Sequence, residues 1–205
     1  MVNMSWTNLA EESIVEKTAE ALMQRGIEVF IVGSGEEAKK KVLELIPAGA
    51  EVMTQQSMTL NTIGLAKEID EGGKYVSIRK KIVSTDDAEK RHELRRASAT
   101  AEYSVGSVHA VTEEGQVVAA SNSGSQLAPY VSGAAHVIWV VGTQKIVKTL
   151  DEAFRRIEEH SLPLESERLM KIHGVKSNIS KLLVVNRETV PGRIKLIFVK
   201  EKLGF

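Results

Sequence analysis

The feature that most constrains this chain is an alternation. Short apolar runs rich in Val and Ile are separated by longer stretches whose apolar residues recur at helical spacing. Compact β-branched runs suit strands buried on both faces, and the helical stretches suit cover laid across them. Strand, helix and strand in repeated order lead to parallel pairing through crossover helices. The predicted fold class is therefore α/β, a mainly parallel sheet flanked by helices.

The pattern can be followed residue by residue. Val15, Ala19, Leu22 and Met23 form one stripe of an N-terminal helix that Gly26 ends, and Ile27 to Val32 reads as a buried strand. Gly33-Ser34-Gly35 turns the chain into a helix carrying Ala38, Val42, Leu45 and Ile46, with Pro47 beyond its end. Val52 to Thr54 is a second strand. A helix from about Ser57 to Glu71 follows, Gly72-Gly73 stop it, and Tyr75 to Ile78 form a third strand. Ser84 and Asp87 have capping-box spacing and open a charged helix to about Ala101. Ser107 to Ala120 reads as two strands joined at Glu114-Gly115, an antiparallel element. Val137 to Val141 is an apolar strand, Thr149 and Glu152 form a second capping box for a helix through Ile157, and Leu182–Val185 and Ile194–Val199 are the final strands. Ser161 to Ser180 is the least regular stretch and reads as an excursion over the sheet. No internal repeat or boundary divides the chain, so residues 1–205 are expected to form one domain.

Composition narrows the function classes. The formal net charge is zero, which gives no global attraction to nucleic acid or to an anionic membrane. No apolar run approaches the roughly 20 residues of a membrane-spanning helix. Met1-Val2-Asn3-Met4-Ser5-Trp6 has neither the basic nor the apolar region of a secretion signal, so a cytoplasmic location is expected. The chain has no cysteine, and so it cannot supply thiolate ligands to an iron–sulfur cluster or a cysteine nucleophile. Electron transfer of that kind would fall to another subunit.

In open parallel sheets, ligands gather at the carboxyl ends of the strands. Three junctions there carry small polar residues. Gly33-Ser34-Gly35-Glu36-Glu37-Ala38 resembles a dinucleotide turn, but two carboxylates in its first turn would repel a phosphate, and a structural capping role is the better reading. At Thr54-Gln55-Gln56-Ser57-Met58-Thr59 no acidic residue occurs between Val52 and Lys67. Ser57 and Thr59 can therefore bind an anion, or Ser57 can simply cap a helix; both readings stand. The segment Ser121 to Pro129 lies in an acid-free window running from Gly115, past the turn, to Leu150, in which Ser123, Gly124, Ser125 and Gln126 offer backbone and side-chain donors to a ligand. Lys145 follows Val141-Gly142-Thr143-Gln144 at another strand end; it can neutralise a carboxylate or phosphate, or be a solvated lysine.

Other signals read as structural. Glu113-Glu114-Gly115 is an exposed turn, and the five histidines lack local metal-ligand spacing, so neither a metal nor a cofactor is expected. Arg79, Lys80, Lys81, Arg91, Arg95 and Arg96 alternate with acids and read as a solvated helix face.

Several segments together resemble one family. Ser57-Met58-Thr59-Leu60-Asn61-Thr62-Ile63-Gly64-Leu65 is similar to the Ser-x-Thr-Leu-x-Glu-x-Gly-Leu signature of lactate-utilisation (LUD) domain proteins, with Thr62 where many members carry Glu. Val108 to Gly115 followed by Gly124-Ser125-Gln126-Leu127 resembles the central hairpin and loop of that family. Val137 to Val147, and the segments Pro191-Gly192-Arg193-Ile194 and Glu201 to Phe205, resemble its later strand and terminal regions. The likeness is to the short type without the cysteine-rich cluster portion. It implies a fold related to ribose-5-phosphate isomerases, glucosamine-phosphate deaminases and CoA transferases, and participation in oxidation of L-lactate to pyruvate beside iron–sulfur partner subunits.

The leading expectation is an accessory component of that oxidation, binding a small anionic ligand or an iron–sulfur partner, with self-association left open. A stand-alone enzyme acting on a sugar phosphate or acyl-CoA is the alternative, and a regulatory ligand-binding module is the third. The expected ligand-binding residues are Ser57, Thr59, Ser123, Gly124, Ser125, Gln126 and Lys145; no catalytic residue is assigned.

Overall fold

The structure is a computed structural model that describes residues 4–205, so the first residues of the segment read above for a secretion signal lie outside the described residues. In chain order the elements are α1 (Glu12–Gln24), β1 (Glu28–Val32), α2 (Gly35–Leu45), β2 (Glu51–Thr54), α3 (Met58–Thr62), α4 (Leu65–Glu71), β3 (Val76–Ser77), α5 (Ile78–Val83), α6 (Ala88–Ala97), β4 (Tyr103–Gly106), β5 (Ala110–Thr112), β6 (Val117–Ser121), β7 (His136–Gly142), β8 (Ile146–Val147), α7 (Leu150–Arg156), α8 (Leu162–His173), β9 (Lys181–Val185) and β10 (Ile194–Val199).

Six strands form one sheet in the order β1-β10-β7-β4-β2-β3, and every pairing in it is parallel. A second sheet of four strands runs β8-β5-β6-β9, with β6 antiparallel to both β5 and β9. The mainly parallel α/β architecture read from the alternation is the observed one.

The two central strands show why the sheet needs cover on both sides. Along β7, Val137, Trp139 and Val141 point to one face, while Ile138 and Val140 point to the other. In β10, Ile194, Leu196 and Phe198 join the first set and Ile197 and Val199 the second. The first face packs against Val15, Ala19 and Leu22 of α1 and against Val111, Val117 and Ala119 of the small sheet. On the second face lie Ala38 and Val42 of α2 and Leu65 and Ile69 of α4. Completely burying an aliphatic side chain contributes about 1.5–3 kcal/mol, so this double-sided packing supplies most of the drive to fold. The outer face of the small sheet is closed by Ala153 and Ile157 at α7.

Several boundaries differ from the sequence reading. Met23 is about half exposed although Val15, Ala19 and Leu22 are buried, because the α1 stripe is narrower than the apolar pattern. The helix expected over 57–71 is two helices; Gly64 takes a left-handed conformation at φ +67 and breaks it. Ile78 is the first residue of α5 instead of the end of a strand, because Ser77 caps that helix by accepting the Lys80 N–H at 3.0 Å. Asp87, not Ser84, caps the charged helix, accepting from Glu89 and Lys90 at 2.9 and 3.0 Å. The region 161–180 is largely the regular helix α8, reached from α7 through a wide π-type turn over Ile157–Ser161. Residues 107–109 are not strand: β4 ends at Gly106 and the hairpin begins at Ala110.

Among the described residues, no helix is long and apolar enough to cross a membrane. No group of three or more His, Asp or Glu is arranged to hold a metal among them.

Candidate functional site

Strands β7, β4 and β2 are neighbours in the large sheet, so the loops leaving their carboxyl ends meet. Each contributes one polar group to a common point. From β7 the chain makes a single tight turn, Thr143–Lys145, that brings Lys145 back over the strand ends. Past β4, Gly106 leads into Ser107; a Cβ at Gly106 would lie 1.9 Å from the hydroxyl of buried Tyr130, so only glycine lets that ring donate to the Ser107 carbonyl at 3.2 Å. Thr59 lies in the first turn of α3 after β2.

The Lys145 side chain is 2% exposed. Its Nζ donates to Thr59 Oγ1 at 3.2 Å, Ser107 Oγ at 3.1 Å and the Val108 carbonyl at 3.2 Å. All three acceptors are neutral, and no carboxylate forms an ion pair with it among the described residues. Burial, reinforced by the charge of Arg156, pushes its pKa well below the usual lysine range. Thr59 Oγ1 also lies 3.2 Å from the Leu203 carbonyl, which accepts from Gln144 Nε2 at 2.9 Å, so the 203–205 segment braces the site from outside.

Behind Lys145 lies further uncompensated positive charge. Arg156 is fully buried; its Nη1 donates to the His109 carbonyl at 2.5 Å and to Ser161 Oγ at 3.3 Å, while Nε and Nη2 have no hydrogen-bond partner among the described residues. The Ala120 N–H donates to Nδ1 of His109 at 3.1 Å. That contact places the ring proton on Nε2. Burial, with Lys145 and Arg156 nearby, pushes the His109 pKa down to about 3, so its ring is neutral.

Thr59, Ser107, His109 and Lys145 line a cleft of about 580 Å³, with Arg156 buried behind them and outside its lining. Ser57, Thr59, Ser123, Ser125, Gln126 and Lys145 all line it, so the loops after β2 and β6 do share one rim. Gly124 lies in the same loop at φ +87 but does not line the cleft; its backbone N–H is taken by Ser121 Oγ at 2.9 Å. Ser57 caps α3 and also lines the cleft.

Two sequence expectations change. α3 has five residues and can carry little dipole, so positive side chains, and not helix starts, give the cleft its charge. Arg79 and Arg95, read as part of a solvated face, line the cleft. Arg79 Nε donates to the Thr54 carbonyl at 2.6 Å, and burial lowers its pKa despite the opposing pull of Asp70. Arg79, Arg95, Arg168 and Lys145 make four cationic side chains in the lining against one acidic side chain, Glu165, which Arg168 engages through two 2.7 Å hydrogen bonds.

The dinucleotide-like turn is occupied from within. Glu37 accepts the Gly33 N–H at 2.7 Å and Glu201 accepts that of Gly35 at 3.0 Å.

Ser107 and His109 were missed because β4 was missed. Tyr103-Ser104-Val105-Gly106 is a short run ending in glycine, and reading it as a strand would have put both residues on the strand-end crest. Arg156 gave no sequence signal, since an arginine in a helix is ordinarily solvated.

A family model described as the LUD domain matches residues 15–199. A DUF162 family protein from Deinococcus radiodurans has a similar structure, with a TM-score of 0.56 at 14% identity, covering 94% of this chain and 99% of that one. A weaker likeness, to eIF2B beta from Chaetomium thermophilum, has a TM-score of 0.38 at 12% identity over 56% of this chain and 43% of that one. No curated protein matches the chain.

Proposed function

We propose that this chain, which belongs to the LUD domain family and through it to lactate utilisation, acts there by binding a small anionic ligand in the cleft above β7, β4 and β2. One observation carries the reading: the buried Lys145 amino group meets three neutral acceptors and, among the described residues, no acid, in a cleft where cationic side chains outnumber acidic ones. A buried cation without a counter-charge is costly, and an incoming carboxylate or phosphate removes that cost. The supporting residues are Thr59, Ser107 and Lys145, with Ser57, Ser123, Ser125 and Gln126 at the rim, and Arg79 on the wall.

In this role the protein is an accessory component of L-lactate oxidation in the cytoplasm. The chain has no cysteine, so electrons leaving lactate through iron–sulfur clusters would pass to a partner subunit. Co-purification with iron–sulfur proteins tests that part.

The binding test is a thermal-shift panel of lactate, pyruvate, a sugar phosphate and CoA, since a ligand of the native state stabilises it by RT ln(1 + [L]/Kd). A shift that Lys145→Met abolishes supports the reading. Failure of all four compounds to move the midpoint at millimolar concentration rejects it.

The alternative of a stand-alone enzyme acting on a sugar phosphate or acyl-CoA draws support from size. A cleft of about 580 Å³ falls in the range of sites for drug-sized molecules and exceeds what a three-carbon acid fills. Turnover by the isolated protein, lost on changing Thr59, would select it.

A further inference from the structure

Lys145 and His109 invite a more specific chemical reading, which rests on the anion-binding role of the cleft. We propose that they form a nucleophile–electrophile pair for an anionic carbonyl compound: the Lys145 amine adds to the carbonyl carbon while the His109 Nε2–H polarises the carbonyl oxygen.

Four observations support the pairing. Lys145 and His109 both line the cleft, and Lys145 Nζ donates a 3.2 Å hydrogen bond to the carbonyl of Val108, the residue before His109. The fixed Ala120 contact at Nδ1 leaves Nε2–H as a donor with no hydrogen-bond acceptor among the described residues. Burial and the charge of Arg156 both disfavour the ammonium form of Lys145, and an amine beside another buried cation is the setting that activates lysine toward carbonyls. Finally, Thr59 and Ser107 each have a second acceptor, the Leu203 and Val108 carbonyls at 3.2 and 3.4 Å, so their hydroxyl protons can turn toward or away from Nζ.

The step balances without any oxidant or reductant. The nitrogen lone pair forms the N–C bond, and the π pair of the carbonyl moves onto oxygen beside His109 Nε2–H. A proton released from nitrogen reaches that oxygen through the Ser107 or Thr59 hydroxyl, giving a carbinolamine. Loss of the hydroxyl with a second proton, as water, leaves the C=N bond on Lys145. Neutral imidazole, not imidazolium, is suited to polarise the carbonyl, because it donates without taking the proton that the amine must release. Arg79 and the rim hydroxyls would hold the carboxylate or phosphate.

The test uses the full chain with two probes, pyruvate for a carboxylate and dihydroxyacetone phosphate for a phosphate, each with and without sodium borohydride, which delivers hydride to an imine carbon. Peptide mass mapping locates the reduced adduct, and thermal shift with the same compounds reports binding. The expected result is an adduct on the Lys145 peptide with one or both probes, absent without borohydride, and formed on the order of 100-fold more slowly in His109→Phe, the usual effect of removing one preorganised donor. Which probe labels Lys145 identifies the acid group. A thermal shift with no adduct at Lys145, or with label only on surface lysines, overturns the proposal and leaves anion binding standing. If neither compound binds nor labels, the proposal is overturned, and the four-compound panel decides whether the cleft reading falls with it.

Discussion

Glu188 and Arg193 form an ion pair at 2.7 Å with both side chains below 10% exposure. Arg193 spends its remaining donors on the carbonyls of Tyr130, Val131 and Ala134 at 2.7, 2.9 and 3.1 Å. It therefore fastens the π-type turn Pro129–Gly133, and through that turn the end of the 121–128 loop that rims the cleft. Arg193→Ala leaves Glu188 enclosed without its partner, and breaking such a pair costs about 3–5 kcal/mol. The expected outcome is a loss of that size in urea unfolding, with faster amide exchange over residues 127–134. A loss below 1 kcal/mol would show that the loop is held by other contacts.

Acid sensitivity follows from the two enclosed histidines. Burial, with Lys145 and Arg156 nearby, takes His109 to about 3; burial, then Arg156, Lys202 and Lys145, takes His160 to about 4. Both folded values lie below the unfolded value of about 6.5, so between them the unfolded chain binds more protons than the native one. Stability is full above about pH 6.5 and declines as pH falls toward 4, each imidazole contributing up to about 1.4 kcal/mol per pH unit. Urea midpoints at pH 7 and pH 5 read this directly. In His160→Gln the pH 7-to-5 difference should shrink; an unchanged difference would exclude His160 as a contributor.

Lys145→Met should separate function from stability. Burial disfavours a charge at Lys145, and replacing the side chain by an apolar chain of similar length removes that cost. The Thr59 and Ser107 hydroxyls keep other partners after the change. The variant is thus expected to melt no lower than the parent while losing the ligand-induced shift. Marked destabilisation would instead make Lys145 a structural tie between the three loops.

Arg79 and Arg95 both line the cleft, yet they differ in environment. Arg79 is half-buried and fixed by Thr54, whereas Arg95 is exposed on α6, a helix with no buried residue. Hydrogen bonds to charged groups contribute about 1.5–3 kcal/mol, which corresponds to roughly 10- to 150-fold in affinity. Arg79→Ala should therefore weaken anion binding by at least tenfold, and Arg95→Ala by only a few-fold and mainly at low salt. Titration calorimetry at two salt concentrations distinguishes them; equal effects would mean that the wall acts by overall charge alone.

The fold was readable where periodicity is strong. β7 and β10 are apolar on both faces, and that continuous run is what a central parallel strand requires. Short elements were less visible: β4 has four residues and β3 two, too few for any period to emerge. The consequence for the site was specific. Thr59, Ser125 and Lys145 stand out in the sequence as cleft-lining candidates because they follow recognisable strands, while Ser107 and His109 are concealed by an unrecognised one. Arg156 and Arg79 could not be found by sequence, because what makes an arginine part of a site is the neighbours that three-dimensional packing brings to it.

The strand order sets a timetable for assembly. β1 pairs with β10 alone, so it has no neighbour in this sheet until residues 194–199 have been made. β2, β4 and β7, which carry the loops of the cleft, can zip together earlier, leaving one flank of β7 unpaired. Such long-range closure slows folding and prolongs the exposure of open strand edges. A chain halted on the ribosome before residue 194 would be expected to hold β1, and the apolar stripe of α1 behind it, available to chaperones and proteases until translation resumes.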